Sequence, residues 1–324
     1  MKKFAVILSA ALVLAALSSC GTNSETVQNN NETVSETDVN SGGEVTFTDS
    51  VGRTVTVSDP KKIAVFTSSF ADIWQLAGGT VSFATEDAFD NENITLPEDA
   101  VNIGLLDSPS AELLIDGEAD FAILSSAAHG GTELAETLEQ AGIPCALFEV
   151  ENFEDYLNML KICTDITGRR DLYEKNGEAV QEKINKIISE QKNKERKTVL
   201  YLRAFSTGIK AKGGDSMTGK MLADMNCANI ADTVPSLLEE LSIEEIIRQD
   251  PDFIFITIMG SDEEKAKKSY EDILASNPAW SELSAVKNGR CIFLPKQYFH
   301  NKPNAEWDKA YEMLAEILND EKSD

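Results

Sequence analysis

The chain has 324 residues, with 55 acidic side chains against 29 basic ones, a formal net charge of −26 and a hydrophobic share of 42%. That length and apolar share suffice for a substantial core, in one or two domains. The negative balance excludes nucleic acid and anionic lipid headgroups as partners, because both need positive protein surface.

In chain order, Lys2 and Lys3 precede an apolar run over 4–17 that is followed by Ser18, Ser19 and Cys20. The run is too short for a permanent membrane span, which takes about 20 residues. It reads as a secretory signal peptide over 1–19 whose lipobox cysteine, Cys20, becomes the lipidated first residue of the mature chain. Residues 20–44 hold Asn, Thr, Ser, Glu and Gly with almost no apolar members, so they are expected to form a disordered tether. No later segment is apolar enough to cross a bilayer.

Residues 45–57 alternate around Gly52 and predict a hairpin. Apolar runs at 63–66, 121–124, 146–150, 198–202, 253–258 and 291–294 then alternate with helical stretches, the pattern of α/β proteins with mostly parallel sheets. Between the halves, Tyr173, Gly177, Val180, Ile184, Ile187 and Ile188 fall at helical spacing, predicting one long helix over about 170–191. A repeat supports two similar lobes. Ser110 and Glu112 are followed by Asp120 and Phe121 ahead of an apolar strand, and Ser242 and Glu244 by Asp252 and Phe253 at the same spacing. The expected organisation is an N-terminal α/β lobe over 45–168, a linking helix over 169–192 and a C-terminal α/β lobe over 193–324. Cys145, Cys163, Cys227 and Cys291 lack metal-site spacing and read as small buried residues.

The hairpin TFTDSVGRTVTVSDPKKIAVF, the two Ser-x-Glu helices leading to EADFAIL and DPDFIFI, the stretch KAKGGDSMTGKMLADMNCANIAD and the run SNPAWSELSAVKNGRCIFLP occur in this order along one chain. Together they resemble the family of ABC-importer solute-binding lipoproteins for iron-siderophores, haem and cobalamin, over nearly all of residues 45–324. The resemblance implies two Rossmann-like α/β lobes joined by a single long helix, with ligand held in the cleft between them. Asn226-Cys227 departs from the family, which often has glycine there. The implied function is the extracytoplasmic, lipid-anchored component of an ABC importer. It is expected to capture an iron chelate, a ferric siderophore first and haem or a corrinoid as alternatives, and deliver it to the permease subunits. It also implies no enzymatic activity, no intrinsic cofactor and a monomer. In this family an acidic residue at the start of the Ser-x-Glu helix of each lobe contacts the importer, and the matching positions are Glu112 and Glu244. Helix capping is an alternative explanation for both, since a carboxylate in the first turn favours the helix dipole by about 0.3 to 1 kcal/mol, and Ser242 with Glu245 has capping-box spacing.

Ligands of open α/β sheets sit beyond the carboxyl ends of strands. The loops found there carry Ser68, Ser69, Phe70 and His129 in the first half and Tyr298, Phe299 and His300 in the second. Hydroxyls, aromatic rings and one histidine per lobe suit a large, partly conjugated ligand. Residues 201–222 hold Arg203, Lys210, Lys212 and Lys220 against Asp215 alone, a basic stretch in an acidic chain, from which an anionic ligand is expected. If that ligand is haem, His129, His300 or Tyr298 is the candidate iron ligand. Two histidines argue against a dedicated zinc or manganese carrier. An extracellular hydrolase is the rival from another class. The chain has no Gly-x-Ser-x-Gly or His-Glu-x-x-His motif to support it, although serine triads also assemble from distant positions.

Overall fold

A computed structural model of the chain describes residues 38–39, 43–91, 93–260 and 262–320. The signal peptide read at 1–19, Cys20 and most of the tether lie outside the described residues. The strands in chain order are β1 (Asp38–Val39), β2 (Glu44–Thr48), β3 (Thr54–Ser58), β4 (Ile63–Val65), β5 (Phe83–Ala84), β6 (Val101–Asn102), β7 (Phe121–Ser125), β8 (Cys145–Phe148), β9 (Lys197–Phe205), β10 (Gly208–Ala211), β11 (Cys227–Asn229), β12 (Phe253–Ile258) and β13 (Cys291–Leu294).

The expected hairpin is β2 and β3, paired antiparallel with Thr46 opposite Thr56. Period-2 alternation turns Val45, Phe47, Val55 and Val57 inward, all buried. Gly52 sits at φ +84°, which the turn requires. The buried carboxylate of Asp49 accepts from Arg53 N at 2.8 Å, Arg53 Nε at 2.9 Å and Leu147 N at 3.1 Å, and so ties the hairpin to β8.

Two five-stranded sheets follow. The first has the order β6-β5-β4-β7-β8 and is parallel throughout. The second runs β10-β9-β12-β13, with β11 pairing alongside β9, and only the β9–β10 hairpin is antiparallel. Helices cover both faces, so β4, β7, β8 and β12 are buried at every position, which is why they read as continuous apolar runs. The two-lobe α/β expectation holds.

The repeat has a structural meaning. Ser110 Oγ caps helix Ala111–Asp116 and Ser242 Oγ caps helix Ile243–Gln249, each accepting from the third helical amide. Asp120 then accepts from Lys61 N and Lys62 N, just before β4, and Asp252 accepts from Thr198 N at the start of β9. In each lobe the aspartate before one parallel strand clamps the start of its neighbour. The expected capping box does not close reciprocally, because the Glu245 carboxylate is taken by Arg248 and Gln249.

Helix Phe153–Thr167 starts from a capping box of Asn152 and Asp155 and ends at Gly168, φ +70°. The linking segment follows as Arg170–Tyr173, a π-helical turn at Glu174–Glu178 and Ala179–Lys192. Regular helix was expected throughout. The π turn arises where the chain makes tertiary bonds: Asn176 Nδ2 donates to Leu76 O at 2.8 Å, and Tyr156 Oη donates to Asn176 O at 2.9 Å. Gly177 permits the approach, since a Cβ there would lie 3.1 Å from Leu157 Cδ2.

The final helix, Trp307–Leu318, returns onto the linking helix, with Lys183 Nζ 2.6 Å from the buried Asp308 carboxylate. Trp307 packs edge-on against Phe153 at 6.0 Å. One apolar core thus runs from the first sheet through Phe153 and Tyr156 to Tyr201, Met217, Phe299 and Tyr311. Two smaller clusters back the outer faces of the sheets. Cys145, Cys163 and Cys227 are free and buried, and Cys291 is free and half-buried. Burial pushes the thiols of Cys145 and Cys227 up to about 12. No helix among the described residues is long and apolar enough to cross a membrane.

Candidate functional site

A cavity of about 890 Å³ lies between the carboxyl-end loops of the two sheets. The first lobe supplies Thr67, Ser68, Ser69, Asp72, Leu76, Asp90, Asn91, Asn93 and Leu106; the second supplies Gln297, His300, Asn301, Lys302, Pro303, Asn304, Ala305 and Glu306. On the first-lobe side, Thr67 sits at φ +81°, an outlier for a β-branched residue, at the N-cap of helix Ser68–Leu76. Its conformation is held by Thr67 N donating to Thr85 Oγ1 at 3.1 Å and by Ser68 N donating to Asp87 Oδ2 at 2.6 Å. Strand β4 therefore delivers Ser68 and Ser69 to the cleft on a braced turn.

On the opposite side, Asn304 is 1% exposed and sits at φ +48°. Its Nδ2 donates across the cleft to Ser69 O at 2.9 Å and to Asp72 Oδ2 at 2.7 Å. Burial raises the Asp72 carboxyl above its ordinary range, the bond from Asn304 opposes that, and the negative charge of Glu306 adds to it. Burial, reinforced by the positive charges of Lys296, Arg203 and Lys302, pushes His300 down to about 4. The imidazole is neutral at pH 7 and free to accept a hydrogen bond or to ligate a metal.

Of the residues picked from the sequence, Ser68, Ser69 and His300 meet in this cleft. His129 is exposed and lines an adjoining pocket of about 250 Å³, which shares Leu106 with the cleft. Phe70 and Phe299 are 2% and 0% exposed and form the core beneath the cleft, because each lies on the inward face of its helix, Phe70 together with Ala71, Ile73 and Trp74. Tyr298 packs partly against the same core. Arg203, Lys210 and Lys212 are outside the cavity wall. Arg203 lies over the Tyr201 ring at 5.9 Å and bonds the phenol oxygen, and Lys210 stands opposite it on the β9–β10 hairpin. The wall carries Asp72, Asp90 and Glu306 against Lys302, so the basic character expected of the site belongs to its surroundings. Asp72, Asn304 and Glu306 were missed in the sequence, where Asp72 reads as one polar position of an amphipathic helix and Asn304 as part of a turn.

Glu112 and Glu244 are exposed in the first turns of their helices. Asn226, where glycine is common, adopts the left-handed conformation itself at φ +62°, and its Nδ2 donates to Lys194 O. Neither histidine pairs with a serine hydroxyl among the described residues. No group of three or more His, Cys, Asp or Glu side chains among the described residues is placed to hold a metal ion.

The chain is 23% identical over 251 residues, 75% of each protein, to the Fe(3+)-citrate-binding protein YfmC of Bacillus subtilis strain 168. Its fold is similar to that of the periplasmic catecholate-siderophore binding protein VctP from Vibrio cholerae, with TM-score 0.66 and 15% identity over 85% of this chain and 99% of that one. It is also similar to S. aureus IsdE complexed with heme, with TM-score 0.63 and 16% identity over 80% and 98% of the two chains. The profile of the periplasmic binding protein family matches residues 63–298, from β4 to the short helix Lys296–Phe299 that carries Tyr298, and the chain belongs to that family of solute-binding proteins.

Proposed function

We propose that this chain is the extracytoplasmic solute-binding component of an ABC importer, and that it captures an iron chelate and passes it to the permease subunits. The observation that carries the reading is the cleft. At about 890 Å³ it falls in the range of small-molecule sites, and its walls come from both lobes. The ferric-citrate-binding relative supports iron as the metal, and the fold neighbours include binders of a catecholate siderophore and of haem. A ferric siderophore is the first reading, with the metal arriving already complexed. Haem is favoured by one feature, the neutral His300 in the cleft wall. Calorimetric titration of the purified chain with ferric citrate, ferric hydroxamates, ferric catecholates, haem and cobalamin tests the proposal, and silence across the whole set defeats it. If haem binds, replacing His300, Tyr298 or His129 in turn shifts the Soret band at the residue that ligates iron.

The accessory parts of the reading are an acyl anchor on Cys20, docking of the permease through Glu112 and Glu244, and action as a monomer. Cys20→Ala is expected to release the protein from the membrane fraction, and retention after a high-salt wash removes the anchor from the proposal.

A further inference from the structure

Asp72 is a half-buried carboxylate in the wall of the cleft, and no lysine or arginine among the described residues pairs with it. Its one side-chain partner is the neutral amide of Asn304. The cations nearby are engaged elsewhere. Lys309 pairs with Glu306, Lys302 stands 3.7 Å from Glu151, Lys183 pairs with Asp308 and Lys296 donates to Gly260 O. Beside Asp72, the Oδ1 atom of Asn304 is buried and accepts no hydrogen bond, although the residue is 1% exposed and lines the same cleft. A carboxylate withdrawn from water is costly without a cation, and a buried acceptor is costly without a donor. Both groups accept only, and both belong to one wall. A primary ammonium, with three donors and a positive charge, matches the two together; an anionic group matches neither.

Resting on the iron-chelate reading of this cleft, we infer that the ligand carries a protonated amine arm, and that Asp72 with Asn304 Oδ1 forms the subsite that takes it. The class of ligand selected is then a ferric chelate with a cationic arm rather than one that is negative throughout. The test uses the full chain, titrated by intrinsic tryptophan fluorescence with a linear ferric trihydroxamate ending in a primary ammonium, with the same chelate acetylated at that amine, and with iron-free 1,5-diaminopentane. Wild type is expected to prefer the ammonium chelate by about 10- to 150-fold, the equivalent of one charge-assisted contact. Asp72→Asn keeps an acceptor for Asn304 and is expected to abolish the preference. Asp72→Ser, with its fold checked by circular dichroism, does the same should the first variant fold poorly. Equal affinity of wild type for the two chelates overturns the subsite, and so does a preference that survives in both variants. If neither trihydroxamate binds while ferric citrate or haem does, the subsite is overturned and the iron-chelate reading stands. Diamine binding as tight as that of the ammonium chelate, and lost in Asp72→Asn, supports the subsite and overturns the iron-chelate reading.

Discussion

Asp49 shows how one side chain joins two distant segments. Its side chain is fully buried, and its carboxylate holds the hairpin turn and the edge of β8 through backbone amides and Arg53. Removing it leaves those donors unpaired, so Asp49→Ala is expected to cost about 3 to 5 kcal/mol, read as a lower urea midpoint at unchanged slope. His300 makes a prediction about pH. Its proton is held at about 4 in the folded protein against 6.5 in the unfolded chain, so as pH falls the unfolded state binds the proton first. Its effect is absent above pH 6.5 and destabilises progressively between 6.5 and about 4. Urea midpoints at pH 7 and pH 5 should therefore differ less in His300→Gln than in wild type, and an equal difference places the imidazole in an ordinary, solvated setting.

Among the elements, helix Met217–Asp224 depends on glycine in its first turn. A Cβ on Gly219 would lie 1.9 Å from Gly213 O and 2.9 Å from Ser216 Oγ, and that oxygen caps the helix by accepting from Gly219 N. Gly219→Ala is expected to cost about 1 to 3 kcal/mol by displacing the loop, measured by thermal or urea denaturation. The apolar strands β7, β8 and β12 were legible in the sequence because burial on both faces leaves a continuous run. Strands β5, β6 and β11 were not, at two or three residues each, since so short a run has no period to read. The hairpin partner β10 was hidden by Lys210, which faces solvent. In the site, the loops were legible from their position after strands. Which side chains face the cleft was not, because a one-residue change of phase in a short helix sends Phe70 and Phe299 into the core and leaves Ser69 and His300 in the wall. Asp72 and Asn304 find each other 232 positions apart, a pairing that no local pattern encodes.

For the whole molecule, the two exposed glutamates test the division between capture and delivery. Glu112→Arg and Glu244→Arg are expected to lower uptake into cells while leaving chelate affinity unchanged, because rim charges govern association with a partner. Normal transport by both variants returns the glutamates to a capping role alone.

The return of helix Trp307–Leu318 onto the linking helix also bears on how the chain reaches its fold. The segment over 304–308 covers Phe153, fixes Lys183 and closes bonds to Ser69 and Lys183 across 235 and 125 positions. Until it docks, the shared core has an open side, and contacts of such long range form slowly. A protein ended at residue 302 is expected to bind a hydrophobic dye and to be cut readily by proteases. The intact chain, its core closed by this helix, is expected to bind little of the dye and to resist the protease, so the helix acts as a latch on the shared core.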